Sequence, residues 1–189
     1  SFNDPGVRTA AQKLLANVDL AFPRDATAAA AVRGLIGDDD RVFQSPDFTP
    51  LLRPDLGATM PPGERPAAVI PNRKMVQKGG LSTEVYVAFV ARVVERLQSL
   101  GFDPFMLPHA TFDHALVEAV QATLSAPVPT VVEPDPVRLK GIIGRCDALF
   151  SSRFHGLVNG LCQGVPAIAT GWSHKYRHLL DEYACPDAL

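Results

Sequence analysis

Short apolar runs alternate with amphipathic stretches through the second two-thirds of the chain. Ala67-Ala68-Val69-Ile70 has no polar member and predicts a buried strand, whereas Thr83 to Leu100 sets Val85, Phe89, Val93 or Val94, Leu97 and Leu100 along one helical stripe. Gly101 ends that helix. The same reading gives strands at 105–107 and 130–132 and helices over 112–124 and 136–144. Two last apolar segments follow, Ala148-Leu149-Phe150 and the one after Gly164-Val165-Pro166, with a helical stretch between them. Strand and helix alternate five times after residue 66, which predicts an α/β fold: a parallel sheet flanked by helices and joined by right-handed crossovers.

The first fifty residues carry a different rhythm. Val7 to Ala16 and Ala26 to Ile36 read as helices, the second capped by Asp25 or Thr27. Val18 to Phe22 and Arg41 to Gln44 read as short strands, the first stopped by Pro23. Two strands cannot close a sheet, so residues 1–56 are expected to be the tail of a preceding α/β domain. The proline-rich, aperiodic stretch from Pro50 to Pro66 serves as linker or surface crossover, with the linker proper at 57–66. Residues 67–189 then form a complete Rossmann-like domain, one wall of a two-domain cleft.

Composition narrows the function classes. Of 189 residues 47% are hydrophobic and 20% charged, values of a packed core and not of a disordered tail. A net charge of -2 gives no electrostatic case for wrapping nucleic acid. No apolar run reaches membrane-spanning length. Cys146, Cys162 and Cys185 are odd in number and lack metal-ligand spacing, so reduced thiols are expected. With no paired aspartate motif and no His/Cys cluster, neither a metal nor a bound cofactor is expected.

Candidate chemistry concentrates in residues 151–176. The polar turn Ser151-Ser152-Arg153-Phe154-His155 follows one apolar segment, and Trp172-Ser173-His174-Lys175 follows the next. Arg153, His155 and Lys175 therefore fall just past the carboxyl ends of neighbouring strands, the ligand-binding edge of open parallel sheets. The N–H groups of Gly156 and Leu157, at a helix start, suit an anion there. Lys175 opens a helix, beside the positive end of its dipole, which hints at a bound anion. Arg24 and His109 also end strands. Arg24 competes for Asp25 or Asp47, and Arg153 for Asp147. Trp172 reads as a sugar platform or as a packed aromatic, and Arg73, Lys74 and Lys78 read as a solvated loop.

Leu139-Lys140-Gly141-Ile142-Ile143-Gly144, Ser152-Arg153-Phe154-His155-Gly156, Gly164-Val165-Pro166-Ala167-Ile168-Ala169 and Gly171-Trp172-Ser173-His174-Lys175-Tyr176 resemble the C-terminal half of the polysaccharide pyruvyl transferase family. Leu107-Pro108-His109 with Asp113, and Phe22-Pro23-Arg24-Asp25, are similar to further family positions. The resemblance implies half of a two-domain GT-B-like fold. It also implies an enzyme that moves a pyruvyl group from phosphoenolpyruvate onto two hydroxyls of a glycan sugar, as a cyclic ketal.

On that resemblance Arg153, His155 and Lys175 contact the donor. The proton transfers of ketal formation make His155 the candidate general acid or base, and Gly156, Arg24 and His109, from their places at a helix start and at strand ends, complete the substrate-binding candidates. The partners are phosphoenolpyruvate and a saccharide acceptor, free or lipid-linked. The expected place is the cytoplasm, free or at the inner membrane face. Two other readings share the fold. A nucleotide-sugar glycosyltransferase would need a base pocket and an acidic ribose ligand such as Glu133, Asp181 or Glu182, and a truncated, inactive homologue would act as an interaction module. The acceptor sugar and the oligomeric state are not readable from the chain.

Overall fold

Two aspartates start the first helices. The Asp4 carboxylate accepts from the Val7 N–H at 2.9 Å and opens α1 (Pro5–Leu15), and Asp25 accepts from the Ala28 N–H at 2.7 Å and opens α2 (Ala26–Ile36). In the computed structural model, which describes residues 2–37, 39–57 and 59–189, both helices lie in a unit spanning Ser1–Phe48. The strands expected at 18–22 and 41–44 shrink there to a single parallel bridge between Ala21 and Val42. Pro23 has no N–H to donate and contributes only its carbonyl, which accepts from the Ser45 N–H at 3.1 Å.

The second unit, Thr49–Leu189, contains the sheet. In chain order it has β1 (Pro66–Ile70), α3 (Lys74–Gln77), α4 (Thr83–Ser99), β2 (Asp103–Met106), α5 (His114–Gln121), α6 (Pro136–Ile143), β3 (Ala148–Ser151), α7 (Phe154–Leu161), β4 (Ala167–Ala169) and α8 (Lys175–Glu182). All four strands are parallel, in the order β2-β1-β3-β4. Register is set by pairs such as Val69 with Met106 and with Phe150, and Phe150 with Ile168. Every residue of β1 is buried, as befits a central strand covered on both faces.

Side-chain alternation along the strands sorts the core into layers. Val69, Met106 and Phe150 point to one face and pack against α4 and α5 through Tyr86, Val90, Val94, Leu116 and Val120. Ala68, Ile70, Phe105, Leu107 and Leu149 point to the other and meet Leu139, Ile142 and Ile143 of α6. Burying each of the larger side chains contributes roughly 1.5–3 kcal/mol. Gly101, at φ 78°, closes α4: its N–H bonds the Gln98 carbonyl and that of Phe102 reaches Leu97, so the last carbonyls of the helix are satisfied.

Several boundaries differ from the sequence expectation. Residues 130–132 form one parallel bridge, Thr130 with Met106, in a segment flanked by Pro127, Pro129 and Pro134. The helix expected over 112–124 divides into a 3-10 turn, Thr111–Asp113, and α5. The units part at Phe48/Thr49 instead of residue 56. The proline-rich segment adheres to α6: the buried Lys140 Nζ donates to the Thr49 carbonyl at 2.8 Å, and the Asp55 N–H to that of Val137 at 3.2 Å. It is a crossover of the second unit. Residues 1, 38 and 58, within the expected tail and linker, lie outside the described residues.

Candidate functional site

Each of the four strands ends at the same edge of the sheet, and each delivers a polar or aromatic residue to it. Asn72 follows β1, His109 follows β2, Arg153 follows β3 and Trp172 follows β4. With Lys74, Phe154, His155, Lys175 and Tyr176 they line a cavity of about 330 Å³. The chain passes from β1 to β2 through α4 on one face, then reaches β3 through α6 on the other. The cavity therefore lies where the connections switch sides, the position at which open α/β sheets bind ligands.

A buried polar network forms its floor. The Tyr86 hydroxyl donates to Ser152 Oγ at 2.6 Å and accepts from the Asn72 N–H at 3.1 Å. Asn72 Nδ2 and the Tyr176 hydroxyl both donate to the Ser152 carbonyl, at 2.9 and 2.8 Å, and the Ser152 and Thr170 hydroxyls hydrogen-bond each other at 2.7 Å. Turns after β1, β3 and β4 are thus tied together through α4 and α8. Burial pushes the Tyr86 hydroxyl up to about 12 and raises that of Tyr176, so both stay protonated. A fully satisfied network of this kind rigidifies what it supports.

Arg153 is held from behind. Its Nη2 donates to Asp113 Oδ2, and the other carboxylate oxygen accepts from the Arg73 N–H at 3.2 Å. Asp113 is fully buried, while 19% of the Arg153 side chain is exposed. Its guanidinium also sits 5.0 Å from the centroid of the Phe112 ring. The expected rival Asp147 instead faces Arg65, at 3.9 Å.

His109 is half-buried in the cavity wall with its Nε2 sealed from solvent, and desolvation, followed by the neighbouring Arg153 and His155, pushes its pKa down to about 3. It is a neutral imidazole across the working range of pH. Its position depends on Gly156, where a Cβ would stand 3.2 Å from His109 Cε1 and 2.7 Å from Ser151 Oγ.

Positive charge dominates the lining. Lys74, Arg153 and Lys175 contribute cations, and among the described residues no carboxylate lines the cavity. The buried side-chain polar atoms without a hydrogen-bond partner, among the described residues, are His109 Nε2, Arg153 Nε, Trp172 Nε1 and Ser173 Oγ. Three belong to lining residues and the fourth to the turn between Trp172 and Lys175. An unpaired buried polar group costs about 1–3 kcal/mol, so a fold that gathers three such atoms in one cavity lining, with a fourth in the adjoining turn, is prepared for a polar ligand. Among the described residues no three His, Cys, Asp or Glu side chains converge as a metal site, and no helix is long and apolar enough to cross a membrane.

Of the residues singled out by sequence, Arg153, His155, Lys175 and His109 meet at this cavity. Gly156 stands behind His109 and not in the lining. The Leu157 N–H is already spent on the Arg153 carbonyl at 3.0 Å. Arg24 lies in the first unit, 3.5 Å from Asp47 and 4.0 Å from Asp25. Lys74, expected in a solvated loop, opens α3 and lines the cavity. Asn72, Asp113, Tyr86, Ser152 and Tyr176 were not singled out as functional. The one local signal was a polar residue at a strand's carboxyl end, which Asn72 and Ser152 carry. Burial holds the Cys146 thiol up at about 12, which makes it an unreactive core residue.

The sequence profile of the polysaccharide pyruvyl transferase family matches residues 1–174. No curated protein matches the chain significantly. Among solved structures, the glycosyl transferase family 9 protein from Veillonella parvula shares 12% identity at a TM-score of 0.47, over 88% of this chain and 62% of that one. The GtfA/B complex shares 12% at 0.49, over 87% and 32%. TarM shares 10% at 0.50, over 100% and 41%. The chain thus spans less than two-thirds of each of these proteins. At 10% identity the likeness to TarM speaks to the fold alone, a GT-B-like, Rossmann-type arrangement.

Proposed function

The chain belongs to the polysaccharide pyruvyl transferase family, and on that premise we propose that the cavity binds phosphoenolpyruvate and serves transfer of its pyruvyl group to a saccharide. The observation that carries the proposal is the convergence of three cations and of buried polar atoms without partners on a cavity that, among the described residues, no carboxylate lines. Phosphoenolpyruvate carries a phosphate and a carboxylate a few bonds apart, close to three negative charges, and presents only acceptors. Arg153, with Nη2 committed to Asp113, keeps its buried Nε edge for such a group. Lys175 adds a compact charge, and His109, held neutral, contributes one hydrogen bond.

The reaction balances without a redox partner. A sugar hydroxyl adds to C2 of the enol phosphate as C3 takes a proton and becomes methyl. The C2–O bond to phosphate breaks, and a second hydroxyl closes the ketal. Two hydroxyl protons leave the sugar: one makes up for that added at C3, the other leaves with phosphate. His155, on the exposed side of the cavity, is placed to move them, a role worth roughly 10²–10⁴-fold in rate. The whole enzyme's turnover and acceptor belong to the same proposal, since the second wall of a cleft also shapes them.

Calorimetric titration of phosphoenolpyruvate into the chain, its Arg153→Ala form and its His155→Ala form tests the reading. Saturable binding that Arg153→Ala abolishes is the expected result. Stronger binding of uridine diphosphate than of phosphoenolpyruvate would reject it in favour of a nucleotide-sugar donor.

A further inference from the structure

The turn after β4 gathers positive charge that extends beyond the cavity lining. Lys74 Nζ, Lys78 Nζ and Lys175 Nζ lie 5.4, 5.4 and 5.3 Å from the centroid of the Trp172 ring. Lys74 and Lys78 stand one helical turn apart, at the start of α3 and just past its end, so they project on the same side. Lys74 lines the cavity, whereas Lys78 is exposed and lies beyond it. The positive surface therefore runs from the donor cavity, past the indole, to solvent. Three ammonium groups around one ring repel one another. Lys175 also lies over the Phe154 ring at 4.6 Å, whereas Trp172 is the one ring that Lys74 and Lys78 face among the described residues, and neither of these two lysines has an ion-pair partner there. Trp172 Nε1 and Ser173 Oγ, buried and unpartnered, sit at the same turn.

We infer that Lys74, Lys78 and Trp172 form a second anion subsite at the mouth of the cavity, which holds a phosphate or carboxylate carried by the acceptor sugar. The inference rests on the reading of the cavity as the donor site. The acceptor must bring two hydroxyls to the carbon of a donor that fills the cavity, so its ring lies at the mouth. A charged substituent on that ring falls where Lys78 extends the lysine row outward. An uncharged sugar would leave this row unmatched, and Lys78 is not among the residues that line the donor cavity.

The test is a titration of the phosphoenolpyruvate-saturated chain with methyl glucoside, glucose 1-phosphate and methyl glucuronide, followed by calorimetry. The expected result is binding of at least one anionic sugar about tenfold tighter than methyl glucoside, an advantage that shrinks with added salt. Lys74→Ala and Lys78→Ala should each remove most of that advantage, while Lys78→Ala leaves phosphoenolpyruvate affinity within about twofold. Preference for glucose 1-phosphate assigns a phosphate-bearing acceptor, and preference for the glucuronide a uronate. Equal binding of neutral and anionic sugars, failure of both anionic probes to bind, or loss of phosphoenolpyruvate affinity on Lys78→Ala as large as on Arg153→Ala overturns the subsite. A chain that binds no phosphoenolpyruvate strikes down the donor reading instead, and the sugar titrations repeated without it still decide the lysine row.

Discussion

Breaking the Arg153–Asp113 pair from each side should cost more than removing it whole. Asp113 is fully buried and Arg153 is 19% exposed. Asp113→Ala leaves a mostly buried guanidinium without its partner and takes an acceptor from the Arg73 N–H. Arg153→Ala leaves a carboxylate sealed from water. Each single change should cost about 3–5 kcal/mol, Asp113→Ala toward the low end because the arginine head can turn to solvent. In the double variant no charge is stranded, and the cost falls to cavity and hydrogen-bond losses, on the order of 1–3 kcal/mol. The double-mutant cycle should therefore give a coupling energy of at least about 3 kcal/mol. At this chain length each kcal/mol shifts the melting temperature by about 2–4 °C, so the single variants should melt about 6–20 °C lower. Trp172 is the chain's one tryptophan and belongs to the second unit, so its fluorescence during urea unfolding reads that unit directly. Additive single effects, or an Arg153→Ala cost below about 1 kcal/mol, would refute the argument that this buried pair sets the position of Arg153.

Three further outcomes follow from the same geometry. His109 is held neutral, with a pKa near 3 in the folded chain against about 6.5 unfolded. Between those values the unfolded chain binds the extra proton. The contribution is thus intact above pH 6.5 and declines as pH falls toward 3, by up to about 5 kcal/mol. Urea midpoints at pH 4–8 should slope less in His109→Asn than in the parent, and equal slopes would contradict an imidazole held neutral. Gly156→Ala places a methyl 2.7 Å from Ser151 Oγ and 3.0 Å from Ile70 Cδ1, pressing on His109. It should destabilise by about 1–3 kcal/mol and weaken phosphoenolpyruvate binding; a variant of parental stability and affinity would show that the site tolerates the shift. Tyr86→Phe removes the acceptor of the buried Asn72 N–H and one partner of Ser152 Oγ, and thermal unfolding should show a loss of about 1–3 kcal/mol.

The strands' continuous apolar runs, the 3.6-residue stripe of α4 and the polar residues that punctuate strand ends are local properties. They are legible because each follows from the geometry of a single element. The α/β class, the parallel sheet and the edge carrying Arg153, His155 and Lys175 were readable on that ground, and the family resemblance rests on the same segments. Short or proline-flanked segments were read less well. The stretches at 18–22, 41–44 and 130–132 have strand-like composition, yet pairing depends on a neighbour with free N–H and C=O groups. Each forms one bridge and no more.

Tertiary structure alone decided which residues behind that edge matter. Asp113 meets Arg153, Asn72 meets Ser152, and Lys74 and Lys78 meet Trp172 across long separations in sequence. No periodicity reports such pairs, because they exist only once the strands take the order β2-β1-β3-β4 and their turns stack at one edge. Lys74 is the clearest case: in sequence it is one more charge in a basic loop. In the fold it lines a cationic cavity, because the parallel register places the ends of β1 and β4 on the same side of the sheet.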